Sequence, residues 1–163
     1  MFDSNVLQSG AEFSPDRKHR YALWRIWDTT KPLVMFIGLN PSTADEATND
    51  QTIKRVLTIA NFNGYGGVYM MNCFAFITKN PEELELENNN YNNNFWLNRI
   101  AAKCETIVFA WGSFKIVNST SRGFELNEMF GDEAKSLFIN KNGSPKHPLY
   151  CRKDTKFIKW KTN

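Results

Sequence analysis

The apolar positions of the chain fall into two kinds of pattern. Short unbroken runs mark buried strands: Leu33-Val34-Met35-Phe36-Ile37 ending at Gly38, Val68-Tyr69-Met70-Met71, Thr106-Ile107-Val108-Phe109-Ala110 and Ser136-Leu137-Phe138-Ile139. Residues 20–27 predict a further strand. Between the runs the spacing becomes helical. Ile53, Val56, Leu57 and Ala60 share one face of a helix over 52–62 that stops before Asn63-Gly64, and 91–103 and 121–130 read as two more helices. Strands alternating with helices predict an α/β fold. The expected form is a single three-layer domain over residues 1–163, its mainly parallel four-stranded central sheet flanked by helices.

In such sheets ligands collect beyond the carboxyl ends of the strands, so those positions are read for chemistry first. Gly38-Leu39-Asn40-Pro41-Ser42 follows the first run, Asn72-Cys73-Phe74-Ala75-Phe76 the second, Trp111-Gly112-Ser113 the third, and Gly143-Ser144-Pro145-Lys146-His147-Pro148-Leu149-Tyr150 comes after the fourth. Asn40 presents an amide at a turn that Pro41 fixes. His147 is one of two histidines and sits after a turn, where it is either functional or a structural anchor. Asp45 and Asp50 lie in the loop after Ser42; for Asp50 the competing role is capping of the helix near Thr52. No nucleotide P-loop, GxGxxG turn or GxSxG elbow is present.

Composition narrows the class. A 163-residue chain that is 42% hydrophobic is not wholly disordered. It has no run approaching the ~20 apolar residues of a membrane span. The start, MFDSNVLQSG, lacks a basic region followed by an apolar one, so a soluble cytoplasmic protein is expected. Cys73, Cys104 and Cys151 are an odd number without a CxxC, so neither a disulfide framework nor a metal site is indicated. With 20 Lys+Arg against 17 Asp+Glu the net charge is only +3, yet it is concentrated. Arg17, Lys18 and Arg20 in one segment, and Arg152, Lys153 and Lys156 in the tail, alternate with aromatics as phosphate-contacting surfaces do. The alternative is an edge strand with protective charges and a frayed terminus.

Taken together in this order, the strand ends resemble those of the uracil-DNA glycosylase superfamily. GLNPS at 38–42 is similar to its first motif, in the Asn-Pro form of the mismatch-specific uracil/thymine glycosylase branch. Asn72 in YMMNCF is similar to the strand-end Asn that reads a pyrimidine edge, AWGS at 110–113 resembles the Trp-Gly-Ser strand end, and SPKHPLY at 144–150 resembles the His-Pro motif that closes the site. The resemblance spans residues 34–150. The longer string GLNPSTADEATNDQTIKRV also resembles a family of small bacterial and phage proteins.

The resemblance implies a glycosylase-like fold and a monofunctional DNA glycosylase that needs no cofactor or metal. It makes Asn40 the residue that positions a water to attack C1′ of the deoxyribose, with Asp45 or Asp50 assisting or neutralising the cationic sugar. Asn72 would pair with the edge of an extruded base, and His147 would hydrogen-bond the departing pyrimidine. Gly38, Leu39, Pro41, Ser42 and Trp111 would shape the base pocket, with Phe74 or Phe76 stacking on the base. Ser113, Lys115, Ser144 and Lys146 would contact DNA, and Leu149 or Tyr150 would wedge into the duplex. The implied partner is duplex or single-stranded DNA, with no membrane and no obligate protein partner.

The short His-Pro loop, with Leu two residues after His147, departs from the family's wedge position, and two further departures, Ser42 in place of Gly and the acidic loop 45–50, point to a base other than uracil. The Asn-rich patch 88–94, otherwise a solvated linker, would offer amides to a sugar-like substituent. A modified phage base such as glucosylated hydroxymethylcytosine, excised in antiphage defence, fits that pattern. Two other readings stay open: a catalytically inactive module that binds modified DNA or nucleotide, and a hydrolase of free nucleosides or nucleotides.

Overall fold

The computed structural model describes residues 6–86 and 89–160. Its strands are β1 (Gln8–Phe13), β2 (Arg20–Ile26), β3 (Leu33–Gly38), β4 (Gly67–Asn72), β5 (Thr106–Phe109), β6 (Lys135–Ser136) and β7 (Ile158–Lys159). The helices are α1 (Gln51–Phe62), α2 (Tyr91–Ala101), α3 (Lys115–Ser119) and α4 (Arg122–Phe130), with 3-10 turns at Pro81–Leu86 and Pro148–Tyr150.

The expected four-stranded, mainly parallel sheet is corrected by this topology. The sheet is mixed and seven-stranded, in the order β1-β2-β4-β3-β5-β6-β7. Its centre is parallel, β3 lying between β4 and β5 and β5 pairing with β6. Both flanks are antiparallel: β2 runs against β4, β1 folds back on β2, and β7 runs against β6. The physical reason is burial. All six residues of β4 and all four of β5 are buried, which is why they read as apolar runs. β1 has one buried residue in six and β7 none in two, so neither leaves a run to detect.

The run 136–139 also behaves differently from expectation. Only Ser136 pairs with β5; Phe138 is 54% exposed, and the chain then turns back, with Lys146 N donating to Phe138 O at 2.8 Å and a bridge between Ile139 and Pro145. That reversal carries His147 toward the ends of the parallel strands.

Helices cover both faces of the sheet. On one face α1 buries Ile53, Val56, Leu57, Ile59 and Ala60 against Val34, Phe36, Val68 and Val108. Asp50 caps its first turn, Oδ1 accepting from Ile53 N at 2.9 Å. On the other face Leu97 and Ile100 of α2 and Leu126 and Phe130 of α4 pack with Met35, Ile37, Met71 and Phe109. Among the described residues no helix is long and apolar enough to cross a membrane, and Cys73, Cys104 and Cys151 are free thiols.

Candidate functional site

Strands β3 and β4 end side by side, Gly38 in register with Asn72. Beyond them opens a cleft of about 230 Å³, lined by both residues together with Asn40, Pro41, Ser42, Asp50, Arg20 and His147. Gly38 is needed because of what surrounds it: a Cβ there would meet Met70 Cε at 2.7 Å and Asn72 Oδ1 at 3.1 Å. We expect Gly38→Ala to displace the Asn72 amide and to lower stability by about 1–3 kcal/mol. A urea titration checks the second effect, and an unchanged midpoint would contradict it.

Asn72 is 2% exposed, and its Nδ2 has no hydrogen-bond partner among the described residues. Leaving a buried donor unmade costs about 1–3 kcal/mol, so a ligand acceptor would repay that cost on binding. The strand end that holds Asn72 is fixed from behind: Asn93 Nδ2 donates to the carbonyls of Asn72 at 2.8 Å and Cys73 at 3.2 Å. The described part of the Asn-rich patch, 89–94, does not line this cleft, so its expected role beside a base substituent is corrected. Asn93 is buried against the strand end and Asn94 Nδ2 donates to Glu125 at 2.6 Å, while Asn88 lies outside the described residues.

The Asn40 amide is half committed. Its Nδ2 donates to Thr78 O at 2.8 Å, Pro41 O at 3.0 Å and Phe76 O at 3.4 Å, pinning the segment after β4 to the turn after β3. The group left for chemistry is therefore Oδ1, an acceptor.

His147 is placed by the turn that follows β5. Gly112 has φ +80, a conformation that favours glycine, and its N–H donates to Pro145 O at 2.9 Å, drawing the 145–147 segment beside the strand end. The Nδ1 of His147 accepts from Leu149 N at 3.2 Å, so in the neutral ring the proton sits on Nε2. Burial pushes the imidazole pKa below its usual value, with nearby Asp50 opposing. The consequence for stability has a definite sign. Below the ordinary histidine pKa of about 6.5 the unfolded chain takes up a proton that the folded one resists. Stability is thus full above that pH and is lost as pH falls through the folded value. We expect the melting temperature of the protein to drop on acidification below about pH 6.5, and His147→Gln to flatten part of that drop.

Asp50 both lines the cleft and caps α1, so the two roles weighed for it coexist. Asp45 does not line the cleft; its Oδ1 accepts from Ala47 N and Thr48 N, and those bonds hold its carboxyl below the usual range. The loop is clamped by Arg25, which donates to Asn49 Oδ1 at 2.9 Å and Asp45 O at 2.6 Å.

A family model described as a protein of unknown function (DUF1643) matches residues 20–149. The chain belongs to this family. The matched span begins at Arg20 and includes every cleft residue named above, so the cleft lies wholly within the family domain. No curated protein and no solved structure matches the chain.

Several expected site residues of this family member lie elsewhere. Phe74 is 1% exposed and packed in the core rather than free to stack on a base, and Trp111 is buried against Phe109 at 4.6 Å and Trp160 at 6.1 Å and does not line this cleft. Phe76 faces His19, ring centroids 5.6 Å apart, and is not on the cleft wall. Leu39, Pro41 and Ser42 do line the cleft, the first two as buried residues and Ser42 as an exposed one. Residues missed by sequence reasoning include Thr78, Lys79, Pro81 and Phe114. Phe114 is 42% exposed and is shared with an adjoining cleft of about 530 Å³ lined also by Ser113, Lys146, His147 and Tyr150. An aromatic just after the Trp-Gly-Ser strand end was the available signal.

The proposed nucleic-acid contacts divide. Ser113, Ser144 and Asn140 form a polar cluster at that rim, the two hydroxyls 3.1 Å apart. Lys146 Nζ lies 5.0 Å from the Phe138 ring; Lys115, Leu149 and Tyr150 are exposed. Arg17 pairs with Glu46 at 3.2 Å and Arg152 with Asp154 at 3.0 Å, whereas Lys18 and Lys153 are simply exposed. Arg20 is corrected from surface to interior: it is 3% exposed. Lys18 precedes β2, whereas the 153–156 segment lies against the end of α1, Asn63 Nδ2 donating to Thr155 O at 2.8 Å and Lys156 Nζ standing 5.4 Å from the Phe62 ring.

Proposed function

We propose that the cleft hydrolyses the N-glycosidic bond of a pyrimidine nucleotide extruded from DNA, leaving an abasic site. The observation that carries this reading is the buried, unpartnered Nδ2 of Asn72 in the same cleft as Asn40 and His147. Such a donor suits a carbonyl on the edge of a pyrimidine. In the reaction the C1′–N1 bond breaks, its electron pair stays with the base, a water oxygen bonds to C1′ and the water's proton passes to solvent. Asn40 Oδ1 accepts from the water and orients it. The carboxylate of Asp50 faces the positive charge that grows on the sugar. His147 Nε2–H donates to the base oxygen where negative charge develops, so its hydrogen bond strengthens as the bond breaks. A modified pyrimidine such as glucosylated hydroxymethylcytosine, in antiphage defence, is the substrate we propose from Ser42 at the cleft, where the family has Gly, and from the acidic loop 45–50.

The test is incubation with duplex and single-stranded DNA carrying modified pyrimidines, scored as abasic sites. Equal activity on free nucleosides would instead favour a nucleoside hydrolase, and binding without cleavage a recognition module. Because Arg20 is buried and Arg17 and Arg152 are paired, the two basic segments contribute Lys18, Lys153 and Lys156 as phosphate contacts. Affinity for duplex DNA should then fall with salt at a log–log slope of about −2.7, three phosphates at about −0.9 each. A slope shallower than about −1 would remove these segments from the interface.

A further inference from the structure

Arg20 is the least expected group in the cleft. Its side chain is 3% exposed, Nη1 donates to Ala44 O at 2.8 Å, and Nε has no partner among the described residues. No ion pair joins it to a carboxylate among the described residues. Burial costs this cation enough to draw its pKa down to about 10, even with Asp50 and Asp45 nearby. A buried charge without a carboxylate in direct contact is expensive, and a single backbone carbonyl does not offset it. Around it the cleft holds Lys79 and the N-terminal residues Thr52 and Ile53 of the 12-residue helix α1, against the one carboxylate of Asp50. Arg20 Nε and Asn72 Nδ2 are thus two buried donors without partners among the described residues, in one cleft whose charge sums to positive.

We propose that Arg20 makes the buried wall of the cleft an oxyanion-binding subsite, so that the ligand carries a carboxylate or phosphate group beside the edge read by Asn72. The proposal rests on the cleft being the ligand site of the preceding section, but not on which bond is cleaved there. A guanidinium fork suits both oxyanions, and a hydrogen bond from a charged donor is worth enough to set a preference of about tenfold or more.

Isothermal titration of the full chain with two matched pairs tests it: uracil against its 6-carboxylate orotate, and deoxyuridine against deoxyuridine 5′-monophosphate. The expected result is an anionic member binding at least about tenfold tighter than its neutral partner. Preference in the first pair places a carboxylate on the base; preference in the second places the phosphate of a nucleotide. Preferences below about threefold in both pairs would overturn the proposal, and this arm needs no variant to fold. Arg20→Met is then expected to abolish the preference, and Arg20→Lys, which keeps the charge without the fork, to weaken the anionic probe while leaving the neutral one unchanged. A folded Arg20→Met that retains the full preference would also overturn it. Because these are binding measurements, the preference can hold in a protein that cleaves nothing, and cleavage can occur without it.

Discussion

His147→Ala is expected to lower the single-turnover rate of base release by about 10²–10³-fold while changing affinity for DNA by less than about threefold. The size follows from the state in which the structure holds the ring. Leu149 N–H occupies Nδ1, and burial disfavours the imidazolium, so near neutral pH the residue is an uncharged donor through Nε2. Such a donor is worth little to a neutral ground-state carbonyl and far more to the oxygen of a departing base. The variant also leaves Leu149 N–H without its acceptor, which lowers the melting temperature whatever the catalytic role. Measurement at saturating, folded enzyme separates the two effects. A drop under about threefold there would reduce His147 to an anchor of the 147–150 turn.

Asn40→Ala carries the second large effect, and it has two parts. Loss of the water-orienting Oδ1 should cost about 10²-fold or more in the same single-turnover rate. Loss of Nδ2 also strips donors from the carbonyls of Pro41, Phe76 and Thr78, which should lower stability by about 1–3 kcal/mol. The protein is then less stable and slower, and the two numbers come from different experiments: a denaturant titration and a rate on the folded fraction. A destabilised variant with an unchanged rate would make Asn40 a staple between two loops and nothing more.

The parallel centre of the sheet was legible because strands buried on both faces are unbroken apolar runs, as β3, β4 and β5 are. Helix α1 was legible for the complementary reason, a one-sided stripe with a cap in front of it. Of the antiparallel flanks only β2 was legible, in residues 20–27. β1 and β7 gain their place through backbone pairing rather than apolar side chains, and pairing leaves little trace in residue type. The residues at the strand ends could be named, but not their surroundings. Within Asp16-Arg17-Lys18-His19-Arg20 nothing in composition separates the last arginine from its neighbours. The fold does so by laying β2 along β4, where Arg20 N donates to Ala75 O at 2.9 Å and the side chain turns inward to Ala44 O. Phe74 and Trp111 fail in the opposite sense: aromatics at strand ends suit either a core or a base pocket, and only the packing of α2, α4 and Trp160 against them decides for the core.

Hydrolysis at the cleft formed by Asn40, Asn72 and His147 is read out by mass spectrometry of what the protein releases from DNA. Genomic DNAs carrying different modified pyrimidines are incubated with the wild type and with His147→Ala, and the supernatant is analysed for free base. One modified pyrimidine base is expected to appear in step with abasic sites in the strand, with both lost in the variant. Wild-type protein that binds those DNAs yet releases no base from any of them, or that releases it equally well without His147, would contradict hydrolysis at this cleft.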